Sequence, residues 1–358
     1  MIDVLPMLAA WVHDLDPYIF RLPDSMGGWG PRWYGFAYLL GFAAGYFLIL
    51  RVAKVGAGGL RPEQVVDWAT YAGVGLLVGG RLGYCIFYEP ALFGLLEPMA
   101  FPYWGVLAVN RGGMASHGGI IGAIVGCVIF AWRNGLPPLY TVDLVAFAGP
   151  PGVVFGRVAN FINGELYGRP VEASFALAVR FPQEMQQNAA VSDRVVDAVY
   201  RAGLAVPESA QQSLAHFHAW VLQRVQAGDG LVRAAIAPAL TPRHPSQLYA
   251  ALGEGLLLFV VLALIWVRPR RPGVIVGWFM ISYAVVRIGG EFFRMPDAHL
   301  GLQWLELSRG QWLSVPMLLV GVGLLAWSRR AAEGVGGWRR GPWTRLDGGD
   351  ASDAPAAS

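Results

Sequence analysis

Residues 140–168 read YTVDLVAFAGPPGVVFGRVANFINGELYG. The first 23 residues, 140–162, form an apolar run. A hydrocarbon core about 30 Å thick needs about 20 such residues in a helix, so this stretch predicts a membrane span. The span closes on Arg157, Asn160, Asn163 and, just beyond, Glu165. An ionisable group at the centre of a spanning helix costs about 2.5–3.5 kcal/mol on insertion scales, so such groups are functional candidates by default. A second set, Tyr283, Arg287, Glu291 and Arg294, recurs late in the chain.

The whole composition agrees with that reading. The chain has 358 residues, 55% hydrophobic and 14% charged, where a soluble domain has about 25% charged, and its mean hydropathy is +0.45. These values predict an all-α polytopic membrane protein. A formal charge of +3 gives no basic footprint for nucleic acid. Lys54 is the one lysine, so nearly every cation is an arginine, which stays protonated and grips phosphate with two parallel N–H groups. Cys85 and Cys127 lie in separate apolar segments. They have no CxxC or Cys/His spacing, which predicts packed small hydrophobes and no metal site. The N-terminus lacks a basic n-region, carries Asp3, His13 and Asp14, and is not read as a cleaved signal peptide.

About seven stretches are long and apolar enough to span: 34–52, 65–88, 114–132, 140–162, 246–267, 274–293 and 311–328. Gly73, Gly75, Gly79, Gly80 and Gly83 crowd the second, and small residues let helices approach closely in lipid. Arg51, Lys54 and Arg61, then Arg133, then Arg268, Arg270 and Arg271, and finally Arg329, Arg330, Arg339 and Arg340 flank alternate span ends. The positive-inside rule puts all of them on the cytoplasmic side if the N-terminus is outside and the C-terminus inside. The expected order is an interfacial arm at 1–33, helices one to four within 34–162, a small mixed periplasmic head at 163–243, helices five to seven within 244–330, and a disordered cytoplasmic tail at 331–358. The connection 89–113 is aromatic and suited to the interface, and no internal repeat is visible. In the head, Phe175–Val179 reads as a strand and 191–236 as a pair of amphipathic helices.

With this orientation, polar groups from five spans collect near the outer leaflet. They are Tyr34, His117, Arg157 with Asn160 and Glu165, His244 with Gln247 and Tyr249, and Arg287 with Glu291. Arg81 sits in Gly79–Tyr84, also nearer the outer end. Tyr283, Arg287, Glu291 and Arg294 fall at i, i+4, i+8 and i+11, one helical face. The expectation is that the two arginine clusters meet around one anionic lipid headgroup. Blander readings stand beside it. Arg287 and Glu291 also fit a structural ion pair, Arg81 a snorkelling arginine, Asn160 and Asn163 interhelical glue, His117 a neutral histidine at a helix start, and Tyr34 an interfacial belt tyrosine. Asp67 and Asp143 read as charges in the first turns of their own helices. His13, His216, His218 and His299 are given no role.

The stretch Gly156–Gly168 resembles the G-R-x-x-N-F-x-N-x-E-x-x-G fingerprint of the bacterial prolipoprotein diacylglyceryl transferases. Arg32–Gly35, Gly79–Tyr84, Ser116–Gly119, Arg243–Tyr249 and Arg287–Asp297 resemble other pieces of that family, in order, over most of 25–330. The stretch between Gly168 and Arg243 is longer than is typical of it. The resemblance implies a multi-pass enzyme of the bacterial inner membrane with its site toward the periplasmic leaflet. Such an enzyme moves the diacylglyceryl group of phosphatidylglycerol to the lipobox cysteine of a preprolipoprotein signal peptide, without cofactor or nucleic acid, and releases glycerol 1-phosphate. It also implies catalytic roles for His117, Arg157, Arg287, Tyr34 and Asn160. Headgroup contacts are implied for Arg157, Asn160, Glu165, Gly168, Tyr283, Arg287 and Glu291; Arg81, His244 and Tyr249 are expected to join them from their own places near the outer span ends. Residue reading alone also admits a secondary transporter, an intramembrane serine protease using Ser116, or a lipid-binding scaffold. Charges near one leaflet with no repeat, and no nucleophile elbow at Ser116, weigh against the first two.

Overall fold

The computed structural model describes residues 10–23, 29–56, 58–96, 102–109, 112–295, 307–330 and 334–339. Asp3, Asp297, His299, Arg340 and the tail from 340 lie outside them. In chain order the main helices are α1 (Trp33–Val55), α2 (Val65–Phe87), α3 (Ser116–Asn134) and α4 (Pro138–Asn163). The head then supplies α5 (Ala189–Arg201), α6 (Glu208–Gln211), α7 (Leu214–Gln226) and α8 (Gly230–Ile236). The chain closes with α9 (Ser246–Ile265), α10 (Val274–Gly290) and α11 (Arg309–Ser328).

Six of these helices (α1, α2 with its preceding turn, α3, α4, α9 and α11) are long and apolar enough to cross a bilayer. The seventh expected span is the shorter α10, which has 17 residues and a length of about 26 Å at 1.5 Å per residue. It stops at Gly290, not at 293, so Glu291 and Arg294 lie past the helix. Outward faces are apolar: Leu39, Phe42, Leu77, Ile121, Trp132, Leu264 and Leu319 are all exposed, the expected surface of helices whose solvent is lipid.

The chain divides into two compact units. One comprises Met1–Phe42, Pro151–Leu257 and Tyr283–Pro316. Its head is built on a three-stranded sheet in which β1 (Trp11–Val12) runs parallel to β2 (Val179–Arg180), which pairs antiparallel with β3 (Pro242–Arg243). The arm is thus an edge strand of the head as well as an approach to α1. The expected strand at 175–179 is displaced, because Phe175–Leu177 form turns. Four helices replace the expected pair, since Gly203 takes φ 64° after α5 and Pro207 precedes α6. Asn188, Ser213 and Asp229 cap α5, α7 and α8 through their side chains. Val195, Val199, Val221, Val225 and Ile236 form a separate head core. His13 packs edge-on to Phe161 and beside Phe181, and burial pushes its pKa down to about 4, so the ring is neutral.

The other unit comprises Ala43–Pro150, Leu258–Ser282 and Met317–Ser358. Gly75, Gly79 and Gly83 on α2 face Gly118 and Gly122 on α3, and Gly126 faces the Tyr71 carbonyl. A methyl placed on Gly75 would collide with the Gly122 carbonyl oxygen, and one on Gly79 with that of Gly118. Backbone touches backbone here, as the glycine-rich composition predicts. Cys85 and Cys127 are buried free thiols. Within the stretch read as tail, Val335 pairs with Arg270, and the Trp338 indole donates to the Ala263 carbonyl at 2.7 Å.

Asp143 corrects the sequence reading. It does not serve the first turn of its own helix α4. Its carboxylate accepts from the Gly273 and Val276 amides at 2.8 and 2.7 Å and so caps α10. Asp143 is 2% exposed, and orphan amides at a buried helix start have no other partner in hydrocarbon. Replacing it with alanine should cost about 1.5–3 kcal/mol, the value of hydrogen bonds to a charged group. Thermal unfolding of Asp143→Ala in detergent tests this; an unchanged midpoint refutes the cap.

Candidate active site

The first unit holds a narrow cleft of about 40 Å³ lined by Arg157, Leu166, Gln247, Tyr249, Glu254, Arg287 and Arg294, among others. Its floor is Glu254, 2% exposed. One carboxylate oxygen accepts from Arg157 Nη2 at 2.8 Å and the other from Arg287 Nη1 at 3.1 Å. Arg287 Nη2 stands 2.6 Å from Glu291. Glu254 lies in a π-helical turn, Ala251–Leu257, inside α9. Such turns shift the helical register by one residue and cluster at functional sites.

The fingerprint after Arg157 builds the adjoining wall. Asn160 Nδ2 donates to the Tyr34 hydroxyl at 3.2 Å and to Glu165 Oε1 at 2.6 Å. The chain then turns through Gly164 at φ 67° and Leu166 at φ 56°. A left-handed leucine is strained and persists only where its surroundings over-determine it. Here they do: Gln247 Nε2 donates to the Glu165 carbonyl at 2.6 Å and Ser246 Oγ to that of Leu166 at 2.9 Å. Gly168 crosses two other segments. Its amide donates to the His244 carbonyl at 2.9 Å, and it pairs with Arg294. A methyl at Gly168 would stand 2.5 Å from the Phe293 carbonyl oxygen and 2.7 Å from that of His244. Its glycine is therefore a packing requirement.

Three guanidiniums, Arg157, Arg287 and Arg294, line the cleft with one carboxylate, Glu254, and Glu291 stands beside Arg287. Two arginine forks on separate helices, aimed at one point, suit a monoanionic phosphate ester. Tyr283, one turn before Arg287, is within electrostatic reach of Glu254, Arg287 and Arg157. Tyr249 lines the cleft. His244 sits behind it, 3.3 Å from the Tyr249 hydroxyl, and burial holds its pKa below the ordinary value.

Comparison with known proteins matches this arrangement to one family. The family model described as prolipoprotein diacylglyceryl transferase matches residues 24–327. A phosphatidylglycerol–prolipoprotein diacylglyceryl transferase of Bdellovibrio bacteriovorus is 48% identical over 353 residues, covering 94% of this chain and 99% of the relative. A relative of the same name from Azospirillum brasilense is 38% identical over 335 residues, covering 92% and 100%. The chain belongs to the prolipoprotein diacylglyceryl transferase family.

The structure gathers Arg157, Tyr249 and Arg287 at the cleft, with Glu291 against Arg287, Tyr34, Asn160 and Glu165 hydrogen-bonded together and Gly168 paired with Arg294. Arg294 joins them through the turn after α10, a route different from the continuous helical face expected of it. Arg81 belongs to the other unit, where four of its five N–H groups donate to the carbonyls of Gly105, Val106, Gly112 and Gly113 at 2.6–2.9 Å. His117, also of that unit, is exposed in the first turn of α3.

Glu254 escaped the sequence reading, although a lone carboxylate inside an otherwise uncharged apolar span was the available signal. Its loss should be felt at once. Glu254→Ala leaves two guanidiniums without their shared partner and should cost about 3 kcal/mol, the low end for breaking a buried pair. Glu254→Gln, which keeps the shape, should cost less. The ordering of the two unfolding midpoints in detergent checks this, and equal wild-type-like midpoints contradict it.

Proposed function

We propose that this protein transfers the diacylglyceryl group of phosphatidylglycerol to the lipobox cysteine thiol of preprolipoproteins, the first step of lipoprotein maturation. The observation that supports it is the pair of guanidiniums from α4 and α10 held on one buried carboxylate at the base of the cleft. The phosphodiester enters with one negative charge, which the guanidiniums lining the cleft complement. Arg157 and Arg287 present forks to its oxygens, and Asn160, Tyr34 and Glu165 fix the wall against which the glycerol lies.

A cysteine thiol has a pKa of about 8.5 and is mostly protonated at neutral pH. His117 is proposed as the base that takes the proton, the role an imidazole ring nitrogen suits. The sulfur attacks the glyceryl CH₂, an S–C bond forms, the C–O bond to phosphate breaks, and glycerol 1-phosphate leaves. Negative charge builds on the departing phosphate, where fixed guanidiniums stabilise it without reorganising. The positive-inside rule applied to the basic loops favours an N-terminus outside and a C-terminus inside. On that orientation the cleft opens toward the periplasmic leaflet of the inner membrane, where the signal peptide would present its cysteine.

The test incubates the purified protein with phosphatidylglycerol and a lipobox peptide. Mass spectrometry should find a diacylglyceryl group added on sulfur, with glycerol phosphate released; no adduct refutes the reading. Arg287→Lys should lose about 10²–10³ in rate, the usual effect of deleting one transition-state donor, because a point charge cannot reproduce the fork. His117→Ala should fall sharply too, and wild-type turnover in that variant would remove histidine from the base role.

A further inference from the structure

We infer that Arg243 and Glu184 are positioning residues through which the head fixes the cleft wall, an inference whose kinetic arm rests on the transferase reading above. The pair is nearly sealed: Arg243 is 4% exposed and Glu184 1%. Arg243 Nε and Nη2 meet the two Glu184 oxygens at 3.0 and 2.6 Å, a parallel fork. Thr241 donates to the same carboxylate at 3.1 Å. The remaining guanidinium nitrogen, Nη1, turns the other way and donates to the Gly168 carbonyl at 3.0 Å. The guanidinium also lies over the Tyr167 ring, 4.9 Å from its centroid.

A buried ion pair gains little net stability over an apolar pair of the same shape. An arginine fork does fix direction, so the question is what this one aims at. It aims at the strained loop Glu165–Gly168. Three carbonyls of that loop are held by three side chains of one short segment: Glu165 by Gln247, Leu166 by Ser246, and Gly168 by Arg243. Gln247 and Ser246 sit on the first turn of α9, the helix that carries Glu254. Arg243 is different, because its orientation is set from outside the segment by Glu184. Glu184 lies in the head's short turn Pro182–Gln186, and its neighbour Met185 packs into the head core with Val195 and Val221.

The loop in turn holds three parts of the site. Leu166 lines the cleft, Glu165 ties down Asn160, and Gly168 pairs with Arg294. The long segment between Gly168 and Arg243 therefore has a mechanical role: it anchors the carboxylate that steers Arg243. The head's Arg233–Asp14 pair is more exposed, at 41% and 25%, and makes no such link.

The experiment uses the full-length protein in phosphatidylglycerol-containing micelles with a lipobox peptide, read by steady-state kinetics and by amide hydrogen exchange. Glu184→Gln keeps the shape and removes the charge. It should lower kcat by about 10-fold or more, within the range a 1 Å misplacement produces, while the peptide KM stays within about two-fold. Exchange at 165–169 should rise about ten-fold with α5 and α7 unchanged, since local openings are separable from global ones. Arg243→Lys should behave alike, and Arg233→Gln should match wild type. If Glu184→Gln does not fold, Glu184→Asp is read the same way. Wild-type kcat and loop protection in the Glu184 variant overturn the inference, as does simultaneous opening of loop and head helices, which means head stability alone. A wild type that forms no thioether refutes the transferase reading instead, and the exchange result then decides the positioning claim by itself.

Discussion

One carboxylate, Glu254, organises the interior of the first unit. It stands in a helix that is otherwise free of charge from Ser246 to Ile265, where an unpaired ion would be prohibitively costly. Two guanidiniums offset it, one from α4 and one from α10. Each constraint runs in both directions. Arg157 and Arg287 would be equally costly at that depth without an anion. The π-turn at Ala251–Leu257 follows the same demand, since an extra residue in the turn alters which side chains face inward. Around this knot the remaining polar groups need only be satisfied locally, and the outward faces are left to lipid.

The second unit solves the same problem differently. Two of its ionic groups, Asp143 and Arg81, are turned onto backbone. Asp143 satisfies the amides that open α10, and Arg81 satisfies carbonyls of an irregular connection. Irregular backbone at membrane depth is tolerated only where something supplies its hydrogen bonds. Charge in a spanning segment thus serves two ends in this protein: in one unit it completes the fold, and in the other it remains partly available to a ligand. The distinction lies in the partners. An arginine that meets four carbonyls is consumed by structure, whereas one that shares a carboxylate with a second arginine still presents donors to a cleft.

Much of this was legible in the sequence, because spans and cleft arginines are both marked by contrast with an apolar background. Residues 140–162 announce a helix by length, and Arg157 and Arg287 announce a site by being ionised within one. What failed was anything that depended on a distant partner. Asp143 looked like a charge for its own helix because the amides it caps come from residues 130 positions away or more. The carbonyl partners of Arg81, on Gly105, Val106, Gly112 and Gly113, lie 24 to 32 positions away and give no periodic sign in the sequence. Glu254 went unread for a different reason. The other polar groups mark outer span ends, whereas Glu254 stands eight positions into α9, away from that pattern.

The charge balance of the cleft bears on direction as well as on binding. A phosphodiester carries one negative charge, and it would meet Arg157 and Arg287 where Glu254 and Glu291 already hold them. On the transferase reading, cleavage of the C–O bond leaves a phosphate monoester, whose second ionisation has a pKa of about 6. At neutral pH that product tends toward two negative charges. The cleft holds the first and must then oppose the second through Glu254 and Glu291, both 5% exposed or less. The same carboxylates that aim the arginines at the substrate therefore disfavour the fully ionised product. Removing either one strengthens the site's attraction for anions while loosening the guanidinium geometry, so affinity and alignment are set against each other by the same two side chains.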